Sequence, residues 1–267
     1  MKLREIVTAA LVAILLAIPL AGANGGTVDE TQEVGIFEHL DSFIPDDTYF
    51  YDSDGNKVNI KELVKKAPTI VAPVYFTCPN VCNILQSSLV NLISQLSLTP
   101  NKDYQILSIS FDENDTVEIA KNKKKNYMMA LNNEFPEDAW KFLTGDRENI
   151  KKFMDAIGFK FKRVDKDFLH SVAVVIVSTD GKIVRYIYGT RILPFDITMA
   201  ITEAQKGVSG LSIKRVISYC FSYDPEGKKY VFNVMKVSGT IIIAVLVAMF
   251  LILVFTGKKR KARGKYE

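Results

Sequence analysis

The chain has 267 residues, 48% of them apolar, and a formal net charge of +4. That length and composition allow one globular domain of ordinary size with a real core, plus a targeting segment and an anchor. The positive excess is concentrated in Lys2, Arg4 and the run from Lys258 to Arg263, so the charge gives no argument for nucleic acid, and three cysteines are too few for a disulfide-stapled scaffold.

Residues 1–23 read as a secretory signal. Lys2 and Arg4 form the charged start, Ile6 to Leu20 is an apolar run, and Ala21-Gly22-Ala23 gives the small-x-small pattern of a cleavage site. An uncleaved first membrane helix is the alternative. Residues 24–45 are polar and mixed and read as a linker, with Val34 to Leu40 as a short packed segment. A domain is expected over 46–210. Tyr49-Phe50-Tyr51 and Lys57 to Ile60 flank Asp54-Gly55, which predicts a hairpin at its front, followed by a helical turn from Ile60 to Lys66.

Thr69 to Phe76 is apolar nearly throughout, as expected of a central strand covered on both faces. Ile84, Leu85, Leu89, Leu92, Ile93 and Leu96 follow helical spacing, so a helix is expected from Ile84 to Leu98. Tyr104 to Phe111 is a second strand, Thr116 to Leu131 a helix, Trp140 to Leu143 a short strand and Asn149 to Ile157 a short helix. Ser171 to Ser178 and Lys182 to Tyr188 form a closing hairpin around Asp180-Gly181, and Phe195 to Ala204 is the last core helix. Alternating strands and helices give parallel pairing, and the hairpin adds antiparallel strands. The plan is α/β and thioredoxin-like, with an extra N-terminal hairpin and an insertion before the closing hairpin.

A helix from Ser212 to Tyr219 is expected in a membrane-proximal segment, 211–236, which also holds Cys220. Residues 237–255 carry no charge, and nineteen such residues match a hydrocarbon core of about 30 Å. A C-terminal transmembrane helix is therefore predicted there. The basic tail, 256–267, places that end in the cytoplasm and the domain on the outer face of the cell membrane.

The chemistry-bearing stretch is Tyr75-Phe76-Thr77-Cys78-Pro79-Asn80-Val81-Cys82, where a strand hands over to a helix. Residues at i and i+4 share a helix face, so both sulfurs can point one way. Pro79 suits the first helical position, and a helix N-terminus favours thiolate over thiol. A thiolate is both a nucleophile and a metal ligand, so the geometry alone does not choose. Redox thioredoxins have two residues between their cysteines and this chain has three. Two thiolates suit copper(I), and zinc, which takes four ligands at structural sites, finds no second cysteine pair nearby. Of the two histidines, His170 precedes the closing hairpin and falls beside the thiol turn in such a sheet, where redox members carry proline. Cys78, Cys82 and His170 are the candidate copper ligands. His39 has no ligand-type neighbour and reads as a surface or packing residue.

These stretches resemble the Sco (SCO1/SenC) copper proteins of cytochrome c oxidase assembly. The resemblance rests on the segment from Tyr75 to Cys82, Ser108-Ile109-Ser110-Phe111-Asp112, Trp140 to Gly145, His170-Ser171 and Asp180 to Gly189, across roughly residues 35–210. It implies that Cys78, Cys82 and His170 bind one copper ion and that the partner is the oxidase subunit that receives a dinuclear copper centre. Many members have a single N-terminal anchor, unlike this chain, and a proline often follows the residue that stands here as Asp112.

Two functions are carried forward. One is a membrane-anchored metallochaperone that delivers copper. The other is a thiol-disulfide oxidoreductase that reduces the oxidase's copper-site cysteines, with the Cys78–Cys82 disulfide as its oxidised state. A redox or copper sensor is a weaker third. Asp112 and Asp115 read as caps of the following helix, with tuning of the site as the alternative. The lysines among 121–125 read as a solvated face, with docking of an acidic partner as the alternative. Met128 and Met129 read as packing, and Cys220 as a structural or membrane-proximal thiol.

Overall fold

The computed structural model describes residues 34–131, 135–210, 221–224, 229–232 and part of 238–250. The first elements are a two-residue strand β1 (Gly35–Ile36), a hairpin of β2 (Tyr49–Tyr51) and β3 (Lys57–Asn59), and a short helix α1 (Ile60–Val64). Then β4 (Thr69–Val74), α2 (Val81–Ile93), β5 (Gln105–Ser110), α3 (Val117–Ala130), β6 (Trp140–Leu143) and α4 (Arg147–Ala156) alternate. A second hairpin, β7 (Phe159–Val164) and β8 (Asp167–His170), precedes the closing pair β9 (Ala173–Val177) and β10 (Ile183–Tyr188), and α5 (Pro194–Gln205) follows. A separate ribbon pairs β11 (Phe221–Asp224) with β12 (Lys229–Phe232).

The central sheet has the order β10-β9-β4-β5-β6. β4, β5 and β6 are parallel, and β9 runs antiparallel to β4 and β10. Every residue of β4, β5 and β9 is buried, as expected for strands covered by helices on both faces. β4 pairs with β9 only from Thr69 to Val71, so the register ends two residues before Pro73. Proline cannot donate to a ladder, and here it stands beyond the last β9 pair. The two strands part at the end where the chain leaves β4 for the thiol loop.

The front hairpin forms where the Asp-Gly turn placed it. The insertion before the closing hairpin is itself a hairpin, β7–β8, and belongs to a small separate sheet with the order β1-β7-β8. The stretch read as a linker contributes to the domain from residue 34 onward. Ile36, Phe37 and Ile44 are buried, and Phe37 N–H donates to Gly158 O at 2.8 Å.

The C-terminal transmembrane helix is a correction. Among the described residues no helix is long and apolar enough to cross a membrane. Within 237–255 the described residues are 238–239, 242–243 and 245–250, and the rest of the predicted span lies outside them. The placement of the domain on the outer face of a cell membrane, with a cytoplasmic tail, rested on that helix and is withdrawn with it. The signal-like residues 1–23, the helix expected from Ser212 to Tyr219, Cys220 and the tail 256–267 lie outside the described residues.

Candidate metal centre

The thiol loop fills the gap between β4 and β9. Helix α2 starts at Val81, later than the proline pattern implied, so Cys82 lies on its first turn while Cys78 lies in the loop before it. The shared-face argument therefore does not apply. The sulfurs are brought together by a turn in which Cys78 N–H donates to Tyr75 O at 3.3 Å and Asn80 N–H to the Cys78 sulfur at 3.4 Å. Asn83 fixes the loop from the helix side. Its Nδ2 donates to Cys78 O at 2.8 Å, and its Oδ1 accepts from Lys123 Nζ at 2.9 Å and from the Tyr127 hydroxyl at 3.3 Å, both on α3.

Both cysteines are free and buried, at 3% and 2% exposure. Burial pushes the Cys78 thiol up, but the N–H groups of Cys82 and Asn80, the Tyr75 hydroxyl and the Cys82 thiol outweigh it and hold Cys78 below the ordinary thiol value. Cys82 moves the other way, mainly through burial and then through the charges of Cys78 and Asp115. The pair is asymmetric: Cys78 is the readier thiolate, and Cys82 stays protonated.

His170 ends β8. Its Nε2 lies 3.8 Å from the Cys82 sulfur, and its Nδ1 lies 2.9 Å from Ser171 O. A carbonyl only accepts, so Nδ1 carries the ring proton and Nε2 presents its lone pair to the sulfur. Burial lowers the imidazole's pKa, against the raising effect of Ser171 O, so the ring is neutral near pH 7. It sits in an aromatic surround, with ring centroids 5.1 Å from Phe111, 5.9 Å from Tyr75 and 6.3 Å from Phe159. The donor chemistry fits a soft cation: two sulfurs and one neutral nitrogen in the tautomer a metal requires. Cys82 and His170 are in contact and Cys78 adjoins Cys82. Among the described residues, however, no three His, Cys, Asp or Glu side chains are already gathered as a metal cage.

The other residues singled out in the sequence go elsewhere. Neither Asp112 nor Asp115 caps α3, whose N-cap is Thr116. Asp115 lies under the thiol loop, where its Oδ2 accepts from Phe76 N–H at 2.5 Å and Ser110 Oγ at 2.6 Å, and burial raises its pKa against those bonds. Asp112 pairs with Arg163 on β7. His39 is exposed, its Nδ1 2.9 Å from Ala156 O. Lys123 bonds Asn83, Lys124 lies 3.4 Å from Glu137, and Lys121 lies 4.0 Å from Asp54. Met128 is core and Met129 is exposed. Sequence reasoning missed Arg163, Asn83 and the site-facing role of Tyr75. The alternation Phe159-Lys160-Phe161-Lys162 was the available signal for the hairpin that carries Arg163 and His170. A groove of about 440 Å³ between α2 and α3, lined by Val90, Asn91, Lys123 and Tyr127 among others, includes neither sulfur.

The SCO1/SenC family profile matches residues 46–205, more than half of the chain. The chain belongs to the SCO1/SenC family. No curated protein sequence matches it significantly. Among solved structures, a protein of Aquifex aeolicus VF5 assigned to electron transfer is 32% identical, with a TM-score of 0.57 over 62% of this chain and 95% of that one. BsSco, a Sco family cytochrome c oxidase assembly protein in which a disulfide switch was identified, is 23% identical, with a TM-score of 0.52 over 64% and 98%. Arabidopsis thaliana ScoI, solved with copper bound, is 20% identical, with a TM-score of 0.50 over 60% and 96%. The last two support the Sco fold, which is the thioredoxin-like plan with the added hairpins described above.

Proposed function

We propose that this SCO1/SenC protein is a copper metallochaperone that carries one copper ion on Cys78, Cys82 and His170 and delivers it to the dinuclear copper centre of a cytochrome c oxidase subunit. The observation that carries this reading is the contact between Cys82 Sγ and a neutral His170 Nε2 whose other nitrogen is already committed to Ser171 O. An imidazole held in that tautomer beside two thiols is a ready ligand for a soft cation. Copper is the cargo here, and its arrival recruits the Cys78 sulfur as the third ligand. Copper(I) binding releases the Cys82 proton, so uptake weakens as pH falls. Because both sulfurs are buried, release takes place by ligand exchange with a docked partner. The family and the copper-bound ScoI support the choice of metal.

The test is metal loading of the purified full-length chain followed by transfer. About one copper per chain is expected, lost in both Cys78→Ser and Cys82→Ser, and the loaded protein should metallate a metal-free dinuclear copper domain. A wild type that takes up no copper after full reduction of its thiols overturns the proposal.

The asymmetry of the two thiols favours a second reading as a thiol-disulfide oxidoreductase. The Cys78 thiolate attacks a partner disulfide and one partner thiolate leaves. Cys82 then displaces the second, which leaves the partner reduced by two electrons and this chain with a Cys78–Cys82 disulfide. If His170→Ala keeps copper affinity while either cysteine variant abolishes partner reduction, this second reading replaces the first.

A further inference from the structure

His170 is held by a hairpin outside the central sheet, whose strand partner among the described residues is β1. β1 pairs with β7 over two residues, and β7 and β8 otherwise pair with each other, Phe161 opposite His170 and Arg163 opposite Phe168. The hairpin is held against the thiol loop by the Tyr75 hydroxyl, which donates to Asp167 Oδ1 at 3.3 Å, and by the segment from Phe111 to Asp115 at the end of β5. At one end Asp115 accepts from Phe76 N–H, two residues before Cys78. At the other end Asp112 accepts from Arg163 Nη2, which also donates to Glu113 Oε2 at 3.2 Å. The Phe111 ring, just before Asp112, lies 5.4 Å from Tyr75 and 5.1 Å from His170. The guanidinium stacks 4.3 Å over the Phe168 ring, which packs on Tyr75 and Phe111.

We infer that Arg163 is a positioning residue that sets the reach between the His170 imidazole and the two thiols. Exposed ion pairs generally contribute little. This one differs because the Asp112 side chain is only 6% exposed and Asn114 N–H, at 2.9 Å, is its other partner at Oδ1. Loss of the guanidinium leaves a buried carboxylate without its counter-charge, held by the Asn114 N–H, and the cheapest relief is movement of that carboxylate toward water. Such movement draws the Phe111–Asp115 segment away from the hairpin and releases β8. Arg163 also has a second hold, its planar stack on Phe168, so its charge and its stem can be tested separately.

The inference rests on the copper reading of Cys78, Cys82 and His170, and the test separates the two. Arg163→Met keeps the stem over Phe168 and removes the charge, and Arg163→Lys restores the charge. In the metal-free full-length chain, hydrogen exchange of peptides covering 159–170 should quicken at least about tenfold in Arg163→Met, while β4 and β5 are unchanged. Copper(I) affinity, from competition with a chromophoric chelator, should fall about tenfold, and the nitrogen coupling in the electron spin resonance of the copper(II) form should diminish. Arg163→Lys should return both to within about threefold of wild type. A general loss of packing would instead raise exchange in β4 and β5 as well, and that result overturns the assignment. So does hairpin exchange like wild type, or a loosened hairpin with affinity and nitrogen coupling intact. If the wild type itself takes up no copper, the copper reading fails first, and the exchange result alone decides whether Arg163 holds the hairpin.

Discussion

Replacing His170 with alanine separates ligand from scaffold. In the metal-free protein the imidazole bonds its own neighbour's carbonyl, Ser171 O, at 2.9 Å, and makes one long contact with sulfur, at 3.8 Å, and edge or tilted contacts with Tyr75 and Phe111. An aromatic pair contributes about 0.5–1.5 kcal/mol beyond burial, and a weak sulfur contact adds little, so His170→Ala should cost about 1–2 kcal/mol of folding stability. For a domain of this size that is a fall in Tm of about 2–8 °C. The effect on copper should be larger. Loss of a group that only supports a ligand typically weakens metal binding 10–100-fold, so loss of a ligand itself should reach at least about 100-fold, or about 2.7 kcal/mol. The assay is chelator competition for copper(I), run beside a calorimetric melt of the metal-free protein and a thiol titration. Copper affinity within about threefold of wild type, with both thiols titrating normally, would refute the assignment of His170 as a ligand. A melt lowered by more than about 10 °C would mean that the residue is chiefly structural.

Three further outcomes follow from the packing. Gly158 has φ +64°, and a Cβ there would stand 1.6 Å from Phe37 O. Gly158→Ala should therefore destabilise by about 2–4 kcal/mol in urea melts and detach β1; a loss below about 0.5 kcal/mol contradicts it. Glu203→Ala should cost about 1–3 kcal/mol, because Arg185 makes a two-pronged bond to Glu203, at 2.7 and 2.5 Å, and both side chains are under one-fifth exposed. The Asp52 carboxylate is pushed up by burial but held below its ordinary value by the Asn56 and Asp54 N–H groups and the Asn56 amide. Its contribution is thus present above the unfolded value near 4 and lost as pH falls through the lower folded value. Asp52→Asn should destabilise at pH 7 and differ progressively less from wild type below about pH 4, as a series of urea melts at falling pH would show.

Much of this architecture could be read from residue pattern alone. The apolar runs of β4 and β9 can be satisfied only in the middle of a layered sheet, and Asp-Gly turns announced two of the hairpins. Helix ends were off by a few residues where no cap signalled them: α2 begins at Val81 behind an Asn80 whose side chain makes no capping bond. The β7–β8 hairpin was signalled only by the alternation from Phe159 to Lys162, since its turn, Asp165-Lys166, has no glycine; Asp165 itself takes φ 54°. His170, expected just before the closing hairpin, ends β8 of this hairpin. The three proposed ligands could be named from residue type and the family resemblance. Their burial, the His170 tautomer and the unequal thiols could not, since each depends on the folded conformation of the thiol loop and of β8. Asp112 and Asp115 precede a helix and so resembled caps, but Thr116 takes that role and leaves them for tertiary bonds.

The strap from Gly35 to Ile44 changes what counts as the working unit. It exchanges backbone hydrogen bonds with the closing hairpin at Gly181 and Ile183, and Phe37 is tied to Gly158 at the root of β7. A chain trimmed to the stretch shared with the family, from residue 46, would drop this lacing and leave the imidazole-bearing hairpin with a raw edge. The shortest fragment worth purifying for metal studies therefore starts upstream of residue 35.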